Sequence, residues 1–220
     1  IPTIKLSSGS PVEIRLSEKN GFKLTPKLLE KHITAKSKAI LLNYPSNPTG
    51  VSYRRKELEQ LNKVIQENRL ITVSDEIYGE LTYDFDHTPF PALAKAKENT
   101  VYLNGFSKAY AMTGWRLGYA AGPLEVIKAM GRLQSHMTSN AVTFAQYAAI
   151  AALGEQAAEA IEAMRVEFEK RGRYMTERLN AMAGIECPES TGAFYCFPDV
   201  SAHYGRSING ADINGSMDFA

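Results

Sequence analysis

Three short apolar runs separated by long connections constrain this chain most. AILLNYP (39–45), LITVSDEIY (70–78) and TVYLNGFSK (100–108) are each of strand length and bounded by turn residues. Between the first two lies RRKELEQLNKVIQEN, which places Leu58, Leu61 and Ile65 at helical spacing. Strands joined by crossovers of this length pair in parallel, so the pattern predicts an α/β fold, a mostly parallel sheet with flanking helices. RLGYAAGP predicts a fourth, short strand, and LTPKLLEKHI a helix opened by Thr25 as N-cap with Pro26 in its first turn. The Ala-rich stretch from Met137 to Leu153 predicts a helix packed on the sheet. After Gly154 one long helix is expected, with Ile161, Met164, Phe168, Met175, Leu179 and Met182 as its core stripe. GIECPESTGAFYCFPDV predicts a strand entering a second domain. The expected division is a large domain over 1–154, a connecting helix over 155–182, and the start of a smaller C-terminal α/β domain over 183–220.

Composition narrows the class of partner. A formal charge of +1 over 220 residues, without a basic stripe or acidic tail, argues against nucleic acid and membrane surfaces and leaves small molecules. Cys187 and Cys196 are too few for a disulfide framework, which favours a reducing, cytoplasmic location, and neither reads as a nucleophile. No apolar run reaches transmembrane length, and IPTIKLSSGS lacks the regions of a signal peptide. The abrupt ends suggest a piece of a longer protein. No metal is expected.

Each strand of the predicted sheet ends in a polar cluster: NYPSNPTG, SDEIYGE and NGFSK. Singly these are weak signals, since Asn-Pro and Thr-Gly are ordinary turn dipeptides and Asp75 could cap a helix. Parallel strands, however, deliver their C-terminal loops to one crevice. There an amide (Asn47), a carboxylate (Asp75), a phenol (Tyr78), a lysine (Lys108) and a guanidinium (Arg116) would converge. A pyridine ring acting as electron sink needs a carboxylate to keep its nitrogen protonated, which Asp75 supplies. Tyr78 and Asn47 can donate to a ring oxygen, and Lys108 can form a Schiff base with an aldehyde. Arg116 offers a two-pronged phosphate donor, with Gly114 and Gly118 letting the backbone turn closely. The set matches pyridoxal 5'-phosphate.

The order of these motifs resembles the fold-type I, class I/II pyridoxal-phosphate aminotransferases over nearly the whole chain. The resemblance rests on NPTG (47–50), on Asp75 and Tyr78 in DEIY, and on Ser107–Lys108 followed by GWRLG (114–118). The block NGFSKAYAMTGWRLGY is most similar to the aspartate and aromatic branch. It implies Lys108 as the Schiff-base lysine, Asp75 as partner of the pyridine nitrogen, Asn47 and Tyr78 as donors to the ring oxygen, and Arg116 with Ser107 as phosphate ligands. Three positions before the lysine, where some branches carry Ser or Thr, stands Gly105. The implied activity is ping-pong transfer of an amino group from an L-amino acid to a 2-oxo acid, by a homodimer. Family members extend further at both ends, and Arg206 has no surrounding motif that would make it the arginine pairing with the substrate carboxylate. A carbon–sulfur lyase of the same fold, the effector domain of a transcription regulator, and an inactive piece are the competing readings.

Other residues read as ordinary packing. His87 and His136 are expected to be surface or packing histidines, and Trp115 a packing aromatic. Tyr44 and Tyr110 could line the crevice. Glu76, next to Asp75 in a strand, is expected to point the other way.

Overall fold

The computed structural model describes residues 1–208 and 210–220. Its main sheet has four strands in spatial order β1 (Ala39–Asn43), β2 (Ile71–Asp75), β3 (Thr100–Gly105) and β4 (Gly118–Ala121). The first three are parallel, in a register that aligns Asn43 with Asp75 and Asp75 with Leu103; β4 returns antiparallel to β3, with Gly118 opposite Gly105. The expected mostly parallel sheet is present. The antiparallel fourth strand follows a connection that holds one short 3-10 turn, Thr113–Trp115, and no helix of the kind a parallel crossover uses.

Among the described residues there are seven α-helices: α1 (Pro2–Leu6), α2 (Pro26–His32), α3 (Arg55–Glu67), α4 (Leu124–Met137), α5 (Thr143–Ala152), α6 (Ala158–Asn180) and α7 (Ser216–Phe219). Helix α2 begins as its sequence predicts: the Thr25 hydroxyl accepts the Leu28 amide at 3.3 Å and Pro26 occupies the first position. Thr25→Ala should therefore lower the stability of the full-length protein by about 1 kcal/mol, read from the urea midpoint; an unchanged midpoint would show that the cap contributes nothing. At the start of α3 the Glu57 carboxylate takes the Arg54 amide at 2.7 Å and the Lys23 ammonium at 2.8 Å, joining the loop before α2 to α3.

Helix α3 buries Leu58, Leu61, Val64 and Ile65 along one face. With Leu24, Leu29, Leu42, Tyr44, Phe90 and Leu93 they form the main core on one side of the sheet. Between β2 and β3 the chain crosses without an α-helix, through short 3-10 turns at Gly79–Leu81, Phe90–Ala92 and Lys97–Asn99. On β1 and β2, Leu41 and Ile71 remain exposed.

Three expectations change. The helix expected from Met137 to Leu153 begins only at Thr143, as α5; α4, which ends at Met137, was not expected, and Ser139 in the link between them has a left-handed φ of 63°. Only Ala145 and Ala149 of α5 are buried, so it touches the rest of the chain along a narrow small-residue seam. Helix α6 is long, as expected, but its stripe is not a core: Met175 and Met182 are about half exposed, at 52% and 49%, and Thr176 is its buried residue. Phe168 is the stripe position that packs, against a cluster of Tyr78, Leu81 and Ala193. Finally, the segment after α6 is not a continuous strand. It makes isolated bridges, Glu186 with Asp199 and Thr82 with Gly192, and then a hairpin of β5 (Arg206–Ile208) and β6 (Ala211–Ile213). Around Gly192 it lies against the loop after β1, where the Thr191 amide donates to the Gly50 carbonyl at 2.9 Å and the Ser52 amide to the Thr191 hydroxyl at 2.8 Å.

Candidate active site

The aligned strand ends place the polar clusters side by side. Asn43, the last residue of β1, links two of them: its carboxamide oxygen accepts the Asn47 amide at 2.9 Å and its NH2 donates to the Asp75 carbonyl at 3.3 Å. The Tyr44 amide donates to the same carbonyl at 3.2 Å, and the Glu76 amide continues the ladder to Leu103 at 3.0 Å. Backbone pairing thus carries the register of the sheet one residue beyond its formal end, which is what holds Asp75 beside the loop after β1.

Asp75 is half-buried, and its carboxylate accepts the Ile77 amide at 3.3 Å. Burial raises its pKa above the ordinary value, the Ile77 amide opposes this, and the neighbouring Glu76 adds to it. A carboxylate so placed gains from a cation set against it. Tyr78 is buried, with its hydroxyl 2.5 Å from that of Tyr195. Burial first, and the Tyr195 hydroxyl second, hold the Tyr78 phenol above its usual range, while the Asn47 side chain acts on it in the opposite direction.

Lys108 follows β3 in a turn closed by the Ala111 amide on the Lys108 carbonyl at 3.1 Å, with Ala109 buried behind it. Its ammonium stands over two aromatic faces, 5.6 Å from the Tyr78 centroid and 5.5 Å from that of Phe194. Those rings meet edge to face at 5.4 Å. A lysine, a phenol and a carboxylate from two adjacent strand ends therefore share one corner.

Arg116 and Ser107 stand differently. The exposed Arg116 guanidinium donates to the Thr113 carbonyl at 3.0 Å, and half-buried Ser107 makes no side-chain hydrogen bond among the described residues. The tight turn anticipated at Gly114 falls on Arg116 itself, whose φ of 53° is left-handed, whereas a Cβ on Gly114 would meet open space. Gly118 and Gly105 are needed for close approach: a Cβ on Gly105 would lie 3.0 Å from the Gly118 Cα and 3.1 Å from the Leu117 carbonyl. Gly105→Ser should then cost about 1–3 kcal/mol through overpacking, measured by denaturant unfolding of the full-length protein; a variant as stable as the parent would contradict the crowding.

Several bystanders take definite places. Tyr44 is fully buried, its hydroxyl donating to the Thr88 carbonyl at 3.1 Å, so it belongs to the core and does not line the crevice. Tyr110 packs on Phe106 at 5.1 Å, and Trp115 on Phe144 at 5.9 Å. His136 is exposed on α4, while His87 is largely covered and bonded to Glu76. Glu76 points away from Asp75 into the interior, as strand alternation requires. The Cys187 thiol is pushed up by burial, unlike a nucleophile's. Among the described residues no three His, Cys, Asp or Glu side chains cluster as metal ligands, and no helix is long and apolar enough to cross a membrane.

Sequence reasoning missed Phe194 and Tyr195, which complete the corner from the far end of the chain. Their signal was the aromatic pair in GAFY after the close-packed Gly192, but pairing with residues more than a hundred positions earlier is invisible to periodicity.

A lysine, carboxylate and phenol gathered at the C-terminal ends of parallel strands define an α/β protein of the pyridoxal-phosphate-transferase fold. The chain belongs to the class I and II aminotransferase family, whose pattern it matches over residues 1–216. It is 47% identical to an aspartate aminotransferase of Bacillus subtilis (strain 168) over 90% of its length and 50% of that protein's. It is 44% identical to an aspartate/prephenate aminotransferase of Cereibacter sphaeroides over 99% of its own length and 55% of the relative's. Among solved structures, the aspartate aminotransferase of Rhizobium meliloti superimposes with a TM-score of 0.91 at 36% identity, covering 98% of this chain and 55% of that one. The chain spans about half the length of the curated relatives it matches.

Proposed function

We propose that the intact protein is a pyridoxal-phosphate-dependent aminotransferase, moving an amino group from an L-amino acid, with aspartate the first donor to try, to a 2-oxo acid. The observation that carries this reading is the corner itself: the Lys108 ammonium over the Tyr78 ring, three residues along from a carboxylate that burial leaves in need of a cation. These residues fit the cofactor by the chemistry of their groups. Lys108 would hold it as a Schiff base, Asp75 would face the pyridine nitrogen, Asn47 and Tyr78 would donate to the ring oxygen, and Ser107 and Arg116 would serve the phosphate. When bound, pyridoxal phosphate supplies an electron sink for charge developing at the substrate's α carbon.

The protein's own part is to place and move protons. With the cofactor bound, Lys108 Nζ would be the group that carries the proton taken from the substrate's α carbon. Asp75, held by the Ile77 amide and the strand register, keeps its charge fixed during that transfer. Tyr78 and Asn47 hold donors ready without reorganisation. Release of one 2-oxo acid before entry of the next makes the kinetics ping-pong. The same reading makes the protein a homodimer and keeps the division into a large domain over 1–154, a connecting helix over 155–182 and the start of a small domain over 183–220.

The test is the absorption spectrum of the full-length protein with added pyridoxal phosphate, then with aspartate, tyrosine or alanine. A cofactor band in the visible that one amino acid converts to the amine form, with release of its 2-oxo acid, is the expected result. Elimination at the β carbon instead would make it a lyase, and absence of any band in the folded protein would remove the enzyme reading.

A further inference from the structure

Behind the proposed site lies a buried polar cluster that none of these roles uses. Glu76 is fully buried, with three donors on its two oxygens: the Ser74 hydroxyl at 2.7 Å and the Phe90 amide at 2.9 Å on Oε1, and His87 Nε2 at 2.6 Å on Oε2. A buried carboxylate costs several kcal/mol unless it is paired and hydrogen-bonded, and an apolar residue would fill the same volume at lower cost. Here it gathers groups from β2 and from the crossover that leads to β3.

We infer that Glu76 and His87 form a positioning pair that sets the Asp75–Tyr78 corner from the interior side. Asp75 and Glu76 are consecutive and point to opposite faces, so fixing one fixes the other. The turn that follows is closed by the Gly79 amide on the Glu76 carbonyl at 2.8 Å and by the Leu81 amide on the Tyr78 carbonyl at 2.8 Å. His87 wedges that turn directly: its ring lies 3.0 Å from where a Cβ on Gly79 would stand, and stacks tilted on Tyr44 at 5.3 Å. Among the described residues His87 Nδ1 is buried without a partner, so the ring's polar contact is Nε2 to Glu76 alone. The other titratable groups acting with this carboxylate are Asp75 on the opposite face and the Tyr44, Tyr102 and Tyr119 phenols, all held up chiefly by burial.

The inference rests on the pyridoxal-phosphate reading, and its test separates the two. Full-length protein is compared with Glu76→Gln, His87→Phe, which keeps a ring and loses the donor, and His87→Gln, which keeps a donor near the Nε2 position. For each, cofactor affinity and the pH midpoint of the bound cofactor's visible absorption are measured beside thermal stability. Glu76→Gln and His87→Phe should weaken cofactor binding about tenfold and move the midpoint by roughly half to one unit, with His87→Gln restoring most of both. A purely structural role would lower stability and leave the midpoint of the loaded fraction in place. Ser74→Ala, which removes one donor and adds no volume, carries the test should the pair variants not fold; an unmoved midpoint there overturns the inference. Failure of the parent protein to bind cofactor overturns the proposed function instead, while parental affinity and midpoint in Glu76→Gln and His87→Phe overturn the positioning pair alone.

Discussion

Lys108→Ala in the full-length protein should lower the rate of amino transfer from aspartate by at least about 10^4-fold, because one substitution removes both the covalent anchor and the proton carrier. The fold should survive. Lys108 lies half-buried on the faces of Tyr78 and Phe194, with its ammonium bound by no carboxylate among the described residues, so truncation leaves no buried charge unpaired. Steady-state turnover, with circular dichroism as the control for folding, measures the effect. Borohydride treatment gives a second reading: in the parent it should fix the cofactor's mass on the peptide containing Lys108, and in the variant it should not. A folded Lys108→Ala protein that turned over within tenfold of the parent would place the reactive amine elsewhere.

Asp75→Asn should reduce turnover roughly 10^2–10^3-fold, since a neutral amide cannot hold the pyridinium charge and the lost pairing is worth a few kcal/mol. Stability of the cofactor-free protein should move the other way. Burial raises the pKa of Asp75 in the folded state above its ordinary 3.8, so the folded protein binds that proton more tightly than the unfolded chain does. Its contribution to stability is therefore greatest below 3.8 and falls as pH rises through the higher, folded value. Asparagine has no such charge to desolvate and can still accept the Ile77 amide. Cofactor-free Asp75→Asn should melt above the parent at neutral pH, with the gap closing toward pH 3.8. A variant that melted lower at neutral pH, or transferred amino groups at the parental rate, would remove the case for Asp75 as a desolvated counter-charge.

Much of this protein is legible in its sequence because local rules and tertiary packing agree there. The three parallel strands, the cap of α2 and the buried face of α3 follow from apolar periodicity and capping residues, which depend on neighbours a few positions away. The candidate site was legible for the same reason: Asp75 ends β2, Asn47, Tyr78 and Lys108 lie just past strand ends, and parallel register delivers strand ends to one edge. Other features depend on partners far along the chain. Tyr195 meets Tyr78, and Thr191 meets Ser52, across separations that no spacing rule records. The left-handed turn fell on Arg116 although Gly114 stood two residues before it, because the loop must bring β4 back antiparallel with Gly118 opposite Gly105. The stripe of α6 has helical spacing but is only partly covered, with Met175 and Met182 exposed, since periodicity states which face can be buried and only the arrangement of other elements decides how far anything covers it. Sequence alone determined that Asp75, Tyr78 and Lys108 lie at or just past the ends of neighbouring strands. Tertiary structure decided which of them touch, because contact depends on the path of the backbone between them.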